Sequence, residues 1–211
     1  TTLTSQDKLS ILAAAHGTAV RFLALSGQVD WFQDLPVLVS IREMNKKIMK
    51  LKPVKIGQND QIVLVLNYQE YCGAAEKPYS DLIKDFIGQI RDTLMRTGRP
   101  VAFVTMEDWL KHRKLWKYAV FPLPGLLTAP QKKAIAGEFG KLPEIAAADG
   151  ALVITPGKVT RSSDLRQLRD ILATPKALKA GYDTIWYVGG NFTATFDCKN
   201  EKLEIQETQS R

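Results

Sequence analysis

Histidine and cysteine are the scarcest reactive residues in this 211-residue chain, two of each. Cys72 and Cys198 are far apart and form no Cys-x-x-Cys pair. Zinc-ligand spacing is therefore missing, and free thiols in a reducing compartment are expected. Cys72 precedes His112, the chain order of a thiol-enzyme pair, but nothing around Cys72 matches a nucleophile signature, so an inert thiol is expected. Serine-elbow, paired-histidine and DxD patterns are also lacking. Gly157-Lys158 fails the phosphate-loop pattern, because Leu152 stands at the first glycine position and Val159 follows the lysine. Gly189-Gly190 follows a strand-like run with no helix after it, which is not a dinucleotide fingerprint. No cofactor, metal or catalytic group is expected. An enzyme here would have to use scattered carboxylates.

Long uncharged apolar runs are missing too, which excludes a membrane-spanning helix. The early run LSILAAAHGTAVRFLALSG is broken by His16 and Arg21 and has no basic segment before it, so a secretory signal is not expected. A first residue Thr1 is compatible with a native, processed or excised N-terminus, and the default location is cytoplasmic. No internal repeat or low-complexity tract occurs, and residues 52–60 form the one candidate joint.

What the chain does have is an ordinary globular composition, 45% apolar and 24% charged, at a length that buries a core without staples. Residues 1–52 read as a helical N-terminal portion. Ser5 is a candidate cap, Leu9, Leu12, Ala19 and Leu23 form an apolar stripe, and Gly27 is a stop; His16 falls on that stripe as a packed or boundary residue. A second helix is expected from Pro36 to about Lys50, with Pro53 beyond it. Continuous apolar runs at 62–66, 101–104, 151–154 and 185–188 suit buried strands of one sheet, and helical patterns separate them. The end, FTATFDCKNEKLEIQ, alternates about a Lys199-Asn200 turn. The expectation is α/β: a helical N-terminal portion, then a mostly parallel sheet flanked by helices, with a C-terminal antiparallel β-hairpin. Residues 53–211 would form this core, in one compact domain with 1–52.

The net charge of +7 is segregated. Residues 42–55 hold six cations against one acid, 111–117 hold four against none, and 158–179 hold six against two. The candidate anion-binding residues are Arg42, Lys46, Lys47 and Lys50 in the first set and Lys111, Lys114 and Lys117 in the second. Lys158, Arg161, Arg166 and Arg169 are those of the third. In KHRKLWKY the tryptophan invites a base-stacking role. Yet Trp109 and Trp116 are seven residues apart and share a helix face with Arg113 between them, so they are expected in the core. The third set reads as strand, Pro-Gly turn and helix from Ser162 or Ser163, whose free N–H groups and dipole favour an anion. These features lead to a non-catalytic nucleic-acid-binding protein, DNA or RNA unspecified, contacting phosphates through basic surface. The alternatives are a structural or interaction subunit of a larger viral, phage or secretion assembly, whose basic blocks meet an acidic protein surface, and an enzyme of unrecognised mechanism. Oligomerisation is compatible with all three.

Overall fold

A computed structural model describes residues 2–17, 35–58, 60–68, 79–139 and 150–208. The chain divides into two compact units, Thr1–Lys55 together with Trp186–Arg211, and Ile56–Ile185. Gly27 and Cys72 lie outside the described residues.

The continuous unit is built on the apolar runs. Strand β1 (Ile62–Leu66) is buried along its whole length, because IVLVL has an apolar side chain for each face of the sheet. It pairs in parallel with β2 (Val101–Thr105) on one side and with β3 (Tyr118–Phe121) on the other. Next, β4 (Ala151–Thr155) runs antiparallel to β3, and β5 (Lys158–Ser162) antiparallel to β4. The order is β2-β1-β3-β4-β5.

Alternation sends Val63, Val65, Ala119, Phe121, Leu152, Ile154 and Val159 to one face. There they meet Met106 and Trp109 of α4 (Met106–His112) and Ile135 of α5 (Ala129–Phe139). Ile62, Leu64, Val120, Ala151 and Val153 go to the opposite face. Their partners are Ile90 and Leu94 of α3 (Tyr79–Leu94) and Leu168 and Leu172 of α6 (Leu165–Leu172). The result is helix, sheet, helix. Each fully buried large aliphatic contributes about 1.5–3 kcal/mol. Trp109 adds an edge contact to Phe121, with ring centroids 5.0 Å apart at 86°.

In the discontinuous unit α1 runs from Thr2 to His16 and α2 from Leu35 to Ile48. They accompany a three-stranded sheet ordered β6 (Thr184–Val188), β7 (Phe192–Asp197), β8 (Lys202–Glu207). Buried Ile11, Ala14 and Ala15 form the inner side of α1, and Lys8 Nζ sits 3.4 Å over the Phe196 ring. Asn191 fastens the early chain to the late one. Its Oδ1 accepts from the Lys52 N–H at 2.6 Å, and its Nδ2 donates to the Lys50 carbonyl at 3.0 Å. Gly190 is required beside it, because a Cβ there would lie 2.4 Å from the Pro53 carbonyl oxygen.

The α/β class, the four apolar strands and the antiparallel hairpin hold, and several details change. The 184–188 strand belongs to the second sheet, and the hairpin joins the N-terminal helices in one unit rather than the α/β core. Ser5 lies inside α1, which closes at Gly17 (φ 68). The tryptophans do not share a helix. α4 ends at His112, a 3-10 turn spans Arg113–Leu115, and Trp116 is extended at φ −122, ψ 129 as the chain approaches β3. Both are nevertheless buried in one cluster. β5 replaces the expected direct turn into a helix, its polar sequence KVTRS suiting an edge strand.

Two shorter elements complete the unit: a 3-10 turn at Pro124–Leu126 and α7 (Pro175–Ala180).

Candidate interaction surface

One member of the third basic set, Arg169, and the helix start beside it are spent on the fold. Helix α6 begins at Leu165, two residues after Ser163, with Asp164 as its cap. Asp164 Oδ1 accepts from the Gln167 N–H at 2.8 Å, and Gln167 Oε1 accepts from the Ser163 N–H at 2.7 Å. This reciprocal cap fills the helix start that the sequence offered to an anion. Arg169 is 6% exposed. Its Nη2 donates to the Ala177 carbonyl at 2.6 Å and its Nη1 to Asp170 at 3.0 Å, so this guanidinium ties α6 to α7. Arg166 is exposed in a shallow depression with Asp164 and Asp170. Both carboxylates stand beside its guanidinium, Asp170 paired with Arg169 and Asp164 capping the helix, which disfavours a phosphate there. Lys158 is exposed on β5, and Arg161 is half-buried, in register with Leu152 and so on the α4–α5 face.

The second set stays on the surface. Lys111, Lys114 and Lys117 are exposed, and no carboxylate pairs with them among the described residues. Arg113 is ion-paired with Glu138 and donates to the Leu110 carbonyl at 2.6 Å. Trp116 is buried, so no indole face lies between the lysines. Leu115 does, at 49% exposure, beside Gly57. Since α4 and α6 cover opposite faces of the sheet, Lys111 does not join Arg166 in one groove.

The first set belongs to the other unit. Arg42, Lys46, Lys47 and Lys50 are all exposed. Lys46 pairs with Glu43 at 2.8 Å, and that ammonium, with Arg42 and Lys47 nearby, holds the Glu43 carboxyl below its usual range. The sequence reading missed the apolar side chains on the same helix. Leu35, Leu38 and Val39 are exposed at 68%, 38% and 50%, and Met49 follows just after α2 at 86%. Their i, i+3, i+4 spacing is visible in the sequence, but so is that of Ile41, Met44 and Ile48, which supply the inner stripe.

The sequence reading also missed an amide cluster just past the carboxyl end of β1, the end of the strands where ligands settle in open α/β sheets. Buried Asn67 donates to Gln131 Oε1 at 3.2 Å, and the Thr128 N–H donates to the same oxygen at 2.8 Å. Among the described residues no group of three His, Cys, Asp or Glu could hold a metal ion, and no helix is long and apolar enough to cross a membrane. Cys198 is exposed in the β7–β8 turn. Comparison with known proteins finds no match among family models, curated proteins or solved structures.

Proposed function

We propose that this chain is a non-catalytic interaction module that meets an acidic protein surface. One observation carries the proposal: Lys111, Lys114 and Lys117, with no carboxylate paired to them among the described residues, stand around an exposed leucine, Leu115. A phosphate track needs cations converging along one path and makes no use of aliphatic side chains. Protein interfaces bury aliphatic anchors with charges around them. Nucleic-acid binding remains the competing reading.

Titrating the full chain with random single- and double-stranded oligonucleotides across a salt series separates the two. Two peptides run in parallel, polyglutamate and a Leu/Glu amphipathic helix of equal charge. The module reading expects the Leu/Glu peptide to bind more tightly than polyglutamate, with oligonucleotides no better than polyglutamate. Oligonucleotide affinity that exceeds both and falls steeply with salt would overturn it.

A further inference from the structure

Helix α2 has two apolar stripes, and among the described residues the fold covers only one of them, and that one partly. Ile41, Met44 and Ile48 repeat at helical spacing and are partly buried. Leu35, Val39, Arg42 and Lys46 repeat at i, i+4, i+7 and i+11 on the other side, with Leu38, Met49 and Lys50 flanking them, all exposed. This outer stripe is ordered along its length: aliphatic over the first two turns, cationic over the next two, about 16 Å from Leu35 to Lys46.

Resting on the interaction-module reading, we infer that this outer stripe is the recognition element, seated in a groove of an acidic protein partner. The groove would offer an apolar pocket to Leu35, Leu38 and Val39, and carboxylates to Arg42, Lys46 and Lys50. Charge complementarity selects the occupant. Lys46 is the only one of these cations held by an acid among the described residues, and Glu43 is the only acid on the helix. A lipid surface fits less well, since an in-plane helix places its apolar residues along one side and its cations along the other. Here both follow one another on the same side. A nucleic acid would leave the aliphatic half unused. An amphipathic partner groove uses both halves and fixes the direction in which the helix lies.

The test measures fluorescence anisotropy of the Leu/Glu peptide and of polyglutamate against the full chain and three variants. Leu38→Ser with Val39→Ser keeps the charge, and should weaken the Leu/Glu peptide at least about ten-fold, to the polyglutamate level, leaving polyglutamate unchanged. Lys46→Glu with Lys50→Glu should weaken both peptides about ten-fold or more. Leu178→Ser, an exposed leucine of α7 in the other unit, should change neither by more than about two-fold. Circular dichroism confirms that each variant keeps its helices, and Val39→Ala serves if the double serine variant does not. The inference is overturned if the α2 variants bind like the parent chain. A Leu115→Ser variant made at that point locates the loss: if it carries the loss, α2 fails and the module reading stands. If neither peptide binds while oligonucleotides do, both fail.

Discussion

Helices α2 and α6 carry the same short pattern with opposite fates. In α6 Leu165, Leu168, Arg169 and Leu172 stand at i, i+3, i+4 and i+7, and the last three are buried. In α2 Leu35, Leu38, Val39 and Arg42 stand at the same spacing, and all four are exposed. The difference lies on the reverse side of each helix. Behind its stripe α6 carries the exposed polar residues Arg166, Gln167 and Asp170, with Ile171 at the edge, so one face is available to the core. α2 carries Ile41, Met44 and Ile48 behind its stripe and partly buries those instead. A periodic pattern shows that a face is apolar; the opposite face decides whether it turns inward.

The strongest way to break this comparison is in the stripes themselves. Leu168→Ala should cost about 2–5 kcal/mol in denaturant unfolding, since it empties a closed site. Leu38→Ala should stay within about 0.5 kcal/mol. Equal costs would mean that the α2 stripe is packed in solution. The arginines give the next largest contrast. Removing Arg169 strips the Ala177 carbonyl and Asp170 of a donor, at about 1.5–3 kcal/mol, while Arg42→Ala should cost less than about 0.5 kcal/mol. Asp164→Ala should then lower stability by about 1 kcal/mol, read from the thermal midpoint, because it removes the α6 cap.

Two smaller effects concern the β7–β8 turn. Glu201 has φ 51, and Glu201→Gly should gain about 0.5 kcal/mol, the relieved left-handed strain exceeding the entropy cost of glycine. Asp197 accepts from the Asn200 side chain at 2.7 Å and from the backbone N–H groups of Asn200 and Lys199, which lower its pKa from 3.8. A depressed carboxyl favours the folded state above the unfolded pKa and loses that contribution as pH falls through the folded value. Asp197→Asn should therefore flatten acid unfolding only below about pH 4.

These contrasts show how far the residues alone could be read. β1 was legible because five consecutive aliphatic residues suit a strand covered on both faces. β5 was not, since an edge strand such as KVTRS is as polar as a loop. The burial of Arg169 was visible in outline, as it stands between Leu165 and Leu172 on the helical repeat. Its charge outweighed its position in the sequence reading. The Asp164 cap was hidden by the two serines before it, which satisfy the same rule. The outer stripe of α2 went unseen because one inner stripe is what a surface helix normally needs.

The fastening of Lys50 and Lys52 by Asn191 has a consequence for how the protein is made. A ribosome delivers Ile56–Ile185 as one uninterrupted stretch, and that unit can begin to fold as soon as it emerges. The first helices have no such opportunity. Their partner strands follow only after the whole α/β unit, on the order of ten seconds or more later at ordinary rates of synthesis. Until then Ile11, Ala14 and Ala15 face solvent on a nascent chain, which makes α1 the segment most in need of a chaperone during translation.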